Sequence, residues 1–169
     1  PYGSSGPYGT LHIAMEMFAA SAGIKLLHVP FRGAGPALTG LLNGTVQAIA
    51  TAPGTVRAQV ADGKMRVLAG WGAERVPSFP DAPTFRELGY KDVEFYIWAG
   101  LFAQAALPAP IMSKLRTAMG EAVRAPEVIR TFEAAGSPVA YMDAPEFAKF
   151  VDADSKRLIA AVKKIGKVE

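Results

Sequence analysis

Apolar residues recur along this chain at helical spacing in some stretches and in short branched runs in others, and the two textures alternate. Leu11, Ala14, Met15, Phe18 and Ala22 share one face of a helix over 11–22, with Gly23 as its stop. Lys25 to Val29 predicts a short strand, Pro30 to Gly35 a loop, and Pro36 the first residue of a helix through Leu42, closed by Asn43 and Gly44. The pattern then repeats. A strand is expected over Val46–Ala50, a turn over 51–54, a helix over Thr55–Ala61 stopped at Gly63, and a strand over Met65–Gly70. Strands and helices that alternate through short connections predict a parallel sheet covered on both faces.

From Trp71 the texture changes. Arg75 to Pro83 holds three prolines and reads as a surface loop, and Thr84 to Leu88 as a short helix ended by Gly89. Val93 to Phe102 is the longest strand-like run, long enough to carry the chain from one lobe to another. Past Pro108 the pattern is helical. Ile111, Leu115, Ala118, Met119 and Ala122 share a face, Pro126 restarts a helix, Gly136 stops it, and Val139–Tyr141 reads as a brief strand. Asp143-Ala144-Pro145-Glu146 has the form of a capping box, and Phe147, Phe150, Val151, Asp154, Leu158, Ala161, Val162 and Ile165 follow at helical spacing. Two parts are expected: 1–96 as a ligand-binding α/β lobe, and 97–169 as a hinge-crossing return strand with C-terminal helices.

Charge narrows the partners. Eighteen Lys and Arg against fifteen Asp and Glu leave a net charge of +3 and a pI near 9.2. That suits a small anion, while the lack of a basic block or basic–aromatic stripe argues against nucleic acid. There is no cysteine, which excludes disulfides, thiol catalysis and Cys-based metal sites. No run of eighteen apolar residues is present, so no membrane-spanning segment is expected, and no signal-peptide pattern is seen. The first residue is Pro1, directly in a functional-looking loop; a processed form or a fragment is expected.

The candidate chemistry begins in that loop, Tyr2-Gly3-Ser4-Ser5-Gly6-Pro7-Tyr8-Gly9-Thr10. Glycines permit close backbone approach, and the hydroxyls of Ser4, Ser5 and Thr10 stand at the start of a helix whose first N–H groups are unpaired. The combination suits a carboxylate or a phosphate. A Walker-type loop would need a lysine before the helix, a dinucleotide fingerprint a different glycine spacing, and a hydrolase elbow G-x-S-x-G; none is present. His12 and Glu16 lie four apart on one helix face, without further metal ligands at useful spacing. His12 reads either as a donor toward ligand or loop, or as a partly buried, hydrogen-bonded histidine; His28 reads as structural. Arg32, the backbone of Gly33 to Gly35, Thr51 and Trp71 fall at or beyond successive strand ends, where parallel α/β sheets bind ligands. No paired carboxylates, activated nucleophile or metal triad assembles into a catalytic set.

In these residues the chain resembles the solute receptors of tripartite tricarboxylate transporters, the Bug-type family. Gly3-Ser4-Ser5-Gly6 with Gly9-Thr10 and His12 is similar to the family's ligand loop, and His28-Val29-Pro30-Phe31-Arg32-Gly33 to its His-Val-Pro-Tyr-Lys-Gly segment. Leu41-Leu42-Asn43-Gly44-Thr45-Val46, Arg75, Pro80-Asp81-Ala82-Pro83-Thr84 and Trp98-Ala99-Gly100-Leu101 follow its later motifs in order. The resemblance implies a type II periplasmic-binding-protein lobe with a parallel-dominated sheet. It also implies a periplasmic receptor that binds a carboxylate-bearing solute, without covalent chemistry or cofactor, and delivers it to membrane transporter subunits. Gly3, Ser4, Ser5, Gly6, Thr10, His12, Gly33 and Thr51 are the implied ligand residues. The family's preceding half has no counterpart here, Thr51 stands where members commonly carry Asp, and Gln104 to Leu107 replaces a Pro-containing turn. Two competing readings are a small α/β hydrolase using Ser4 or Ser5, and a ligand-free assembly module. A homodimer through the helices after Pro108 is the expected way to cover their apolar faces.

Overall fold

Three short strands pair in parallel, β1 (Tyr2–Ser4), β2 (His28–Pro30) and β3 (Ala48–Ile49), with β1 in the middle. Tyr2 stands opposite both His28 and Ala48, and Gly3 opposite Val29 and Ile49. The computed structural model describes residues 1–165. Helices follow each strand: α1 (Thr10–Ala22), α2 (Ala34–Leu42) and α3 (Pro53–Ala61). The expected α/β class with a parallel sheet and flanking helices is what the chain forms.

Helix α1 buries Leu11, Ile13, Ala14, Met15 and Ala19. Its C-terminus is closed by Gly23 at φ 65°, after which Ile24 N–H reaches back to the Ala19 carbonyl at 3.0 Å, as a glycine-terminated helix requires. Tyr2, Leu11, Met15 and Ala50 form the core cluster, with Phe18, Leu26, Ala48 and Trp71 packed on it. Burying a side chain such as Leu11 contributes about 1.5–3 kcal/mol. Phe31 shows why two glycines stand where they do. A Cβ added at Gly3 or at Gly40 would fall within 3.0 Å of its ring. The missing side chains of β1 and α2 therefore make the slot that the aromatic ring fills.

Several expected strands are corrected. Met65–Gly70 forms no strand; Gly70 makes a single bridge to Thr84. Val93–Phe102 and Val139–Tyr141 are irregular. A branched run becomes a strand only where a neighbour completes its hydrogen-bond ladder, and these runs find isolated bonds instead, such as Phe95 N–H to the Trp71 carbonyl at 3.1 Å. Thr84–Leu88 is a hydrogen-bonded turn, not a helix. Thr84 Oγ1 accepts the Glu87 N–H at 3.1 Å while Glu87 Oε2 accepts the Thr84 N–H at 2.6 Å, a reciprocal cap in one turn, and Arg75 pairs with Glu87. The Glu87 carboxyl is held below its usual range, first by that backbone N–H and then by Arg75.

By internal packing the described residues divide into two units: Pro1–Ile97 with the end of the last helix from Ile159, and Trp98–Leu158. The second contains α4 (Ala109–Ala122), α5 (Pro126–Ala134) and most of α6 (Ala144–Ile165). Trp98 organises it. Its ring meets Phe147 and Phe150 edge-on, and its indole N–H donates to Asp154 Oδ2 at 3.0 Å, while Arg157 donates to Asp154 Oδ1 at 2.7 Å. Asp143 caps α6 by accepting the Ala144 N–H and pairs with Arg116, and its carboxyl is pulled down to about 2, with Arg116 the largest cause.

Candidate functional site

Parallel pairing brings the ends of β1, β2 and β3 to one edge of the sheet, where each strand passes into a loop that opens a helix. Backbone hydrogen bonds tie these loops together. Ala50 N–H donates to the Gly3 carbonyl at 3.2 Å, Phe31 N–H to Ser4 at 3.0 Å, and Gly33 N–H to Ser5 at 3.2 Å. The edge thus collects Ser5 and Gly6 from the first loop, Gly33 from the second and Thr51 from the third, all half-buried, with exposed Thr10 beginning α1. Gly9, Gly33 and Ala52 stand at the three helix starts, and none has a side-chain cap. Three helix N-termini therefore direct backbone N–H groups and the positive ends of their dipoles toward one region. Thr51 Oγ1 is shut off from solvent and has no hydrogen-bond partner among the described residues. Arg32 is exposed in the second loop.

Ser4 and His12 face inward. Ser4 is 0 % exposed; its Oγ lies 2.7 Å from His28 Nε2, 3.0 Å from the Gly6 carbonyl, and 3.3 Å from the Gly6 N–H that donates to it. His12 is 1 % exposed, and its Nδ1 accepts the Tyr8 N–H at 2.9 Å. The two imidazoles stack at 4.0 Å with planes 7° apart, and Tyr2 stacks on His28 at 5.0 Å. The Tyr2 hydroxyl donates to Glu16 Oε1 at 2.7 Å, and that oxygen lies 3.9 Å from His12 Nε2. Burial pushes both imidazoles below their ordinary value; at His28 the neighbouring His12 adds to the effect, and Glu16 opposes it at both. The Tyr2 hydroxyl is raised, by burial first and by Glu16 second, so it stays protonated. Gly3 is buried under Phe31.

This stack is an internal support rather than a reaction centre. A serine 2.7 Å from an imidazole has the spacing of a nucleophile and its base. The Ser4 hydroxyl, however, is closed from solvent and engaged with the Gly6 backbone, so a substrate carbonyl has no approach to it. Trp71 does not wall the edge either. Its indole donates to the Ala14 carbonyl at 3.2 Å and its ring packs on Phe85. No cluster of three metal-ligating side chains is found among the described residues. Sequence reasoning placed His12 and Glu16 together on one helix face and flagged His28 separately, but missed Tyr2 as their partner. The link is the register of β1 on β2, which sets Tyr2 beside His28. A strand directly before α1 was the available signal, because the next two helices, α2 and α3, also follow strands.

The chain matches the Tripartite tricarboxylate transporter family receptor over residues 1–167. It belongs to that family. One relative, the UPF0065 protein in the gbd 5'region of Cupriavidus necator, is 32 % identical over 98 % of this chain and 50 % of its own length. A TctC solute binding protein from Polaromonas, solved without ligand, superposes with a TM-score of 0.81 at 27 % identity, over 96 % of this receptor chain and 56 % of that one. MatC from Rhodopseudomonas palustris, solved with bound malate, gives a TM-score of 0.76 at 26 % identity, over 95 % and 55 %. The receptor chain thus spans about half the length of the relatives it matches. None of its described helices is long and apolar enough to cross a membrane.

Proposed function

We propose that this chain is the part of a periplasmic receptor that holds a small carboxylate-bearing solute at the sheet edge, for delivery to membrane transporter subunits and without covalent chemistry. The observation that carries the reading is the convergence of three uncapped helix starts on one edge, with the hydroxyl of Thr51 buried there and unpartnered. The malate bound by MatC supports a carboxylate over other anions. Ser5, Thr10 and Thr51 supply donors to the ligand, while Gly6 and Gly33, whose N–H groups are engaged by Ser4 and Ser5, let the backbone approach it closely. Gly3, Ser4 and His12 act from behind, by holding the first loop in shape.

A charge-assisted hydrogen bond contributes about 1.5–3 kcal/mol, and micromolar affinity needs about 8 kcal/mol net of the cost of association. One edge supplies only part of that, so this chain binds weakly by itself and the two-lobed protein binds more tightly. Calorimetry with malate tests the reading. Ser5→Ala and Thr10→Ala are each expected to weaken binding about fivefold to tenfold. Unchanged affinity in both variants, or equal affinity for the chain and the two-lobed protein, would refute it.

A further inference from the structure

The first loop contains a backbone conformation that needs an explanation. Tyr8 is a non-glycine residue at φ 54°, in the left-handed region that ordinary side chains avoid. Its N–H is the group held by His12 Nδ1 at 2.9 Å. A backbone N–H can only donate, so Nδ1 must be bare and the single ring proton must sit on Nε2, toward Glu16. The adjacent, stacked His28 reaches Ser4 at the other end of the same loop. One pair of rings thus grips the loop at both ends, Ser4 and Tyr8, while the half-buried Ser5 and Gly6 lie between the two grips.

We propose that His12 is the positioning residue of the Ser5–Tyr8 loop, its neutral ring fixing Tyr8 in the left-handed conformation, and that a proton on Nδ1 releases the loop. The titratable groups facing the ring are Glu16 on α1, Tyr2 on β1, His28 on β2 and Tyr8 in the loop. Glu16 favours the proton. Against it stand the Tyr8 N–H, which would meet a second donor, and the parallel His28 ring, against which a charged imidazole would lie in a buried site. Burial pushes both histidines the same way. The consequence for ligand binding rests on the loop being the anion site proposed above; the hold on Tyr8 does not.

The test is amide hydrogen exchange at Tyr8, read beside the imidazole nitrogen shifts of His12 as the pH is lowered from about 8 to about 5. Protection at Tyr8, corrected for the intrinsic exchange rate, is expected to fall about fivefold to tenfold in step with protonation of His12. His12→Phe should lack that protection at both extremes. His12→Asn, which places an acceptor near the position of Nδ1 and does not titrate, should keep it at both. Protection that ignores the His12 titration, or that survives in His12→Phe, overturns the proposal. The wild-type titration decides the matter even if His12→Phe fails to fold. Malate calorimetry on the same samples separates the two readings. Protection that follows His12 without any malate binding sustains the positioning role and removes the ligand reading, whereas binding that is unchanged in His12→Phe removes the link between them.

Discussion

The two packed units of this chain use polar groups in opposite ways. In Pro1–Ile97, buried Tyr2, Ser4 and His12, with half-buried His28 and Glu16, form one connected stack behind a loop, and the rings do not depend on an ion pair. In Trp98–Leu158 the one buried charged group among the described residues is Asp154, and it is held by full charge from Arg157 together with the Trp98 indole. The first arrangement shapes a surface, since the stacked imidazoles finish on the loop, at the Ser4 hydroxyl and at the Tyr8 N–H. The second locks aromatic side chains of a helix in place and finishes on itself. Proximity of titratable groups therefore does not mark a site; what separates the two clusters is whether their hydrogen bonds end on a loop at the sheet edge.

The largest expected effect that separates the units comes from packing. Gly40→Val forces a side chain onto the Phe31 ring inside the first unit, and Gly100→Val forces one onto Phe147 inside the second. Overpacking of this kind costs about 1–3 kcal/mol, more when the crowded ring cannot move. The two tryptophans divide conveniently, Trp71 in the first unit and Trp98 in the second. Denaturation of single-tryptophan variants should show Gly40→Val lowering the Trp71 midpoint and Gly100→Val the Trp98 midpoint. A Gly40→Val protein with an unshifted Trp71 transition would break the account of Phe31 and its slot.

Asp154→Ala comes next. It leaves the Trp98 N–H without its acceptor and Arg157 without its carboxylate, a loss of about 1–3 kcal/mol, while Asp154→Asn keeps an acceptor for the indole and should recover part of it. Urea titration followed at Trp98 measures both. Equal stability of Asp154→Ala and the parent would mean that the charge in the second unit is ornamental.

Smallest at neutral pH, where it vanishes, is the effect of acid, but it separates the units by window. His12 and His28 are depressed by burial, so the unfolded chain takes up protons first as the pH falls. Their contribution is complete above the unfolded value of 6.5 and is lost as the pH falls from there through the folded value. Asp143 is depressed from 3.8 to about 2, so its contribution is complete above pH 3.8 and is lost between there and about 2. The Trp71 transition should weaken in the histidine range and the Trp98 transition only in the carboxylate range. Coincident loss in one window would contradict the assignment.

Much of this was legible in the sequence because helices are local. The 3.6-residue period, Pro36, Pro126 and Pro145 near helix starts, and Gly23 and Gly136 past helix ends placed each long helix within about two residues of its observed bounds. The strands were harder. Val93–Phe102 has strand composition but no ladder partner, while Tyr2-Gly3-Ser4 has the composition of a turn and yet is the central strand, because Phe31 covers its glycine and Leu27, His28 and Ile49 lie alongside. The candidate site divides along the same line. Residue types and the order of loops pointed to the edge, but side-chain direction depends on register, so the sequence left both readings of His12 open and gave no sign that Ser4 turns inward while Thr10 stays exposed.

The most direct test of the central claim is a nitrogen–proton correlation spectrum of the chain titrated with malate, which detects binding even at millimolar strength. The account predicts shifts concentrated at the amides of Ser5, Gly6, Thr10, Gly33 and Thr51, with the helices after Pro108 silent. Shifts confined to those helices, or no shift at the sheet edge at saturating malate, would contradict it.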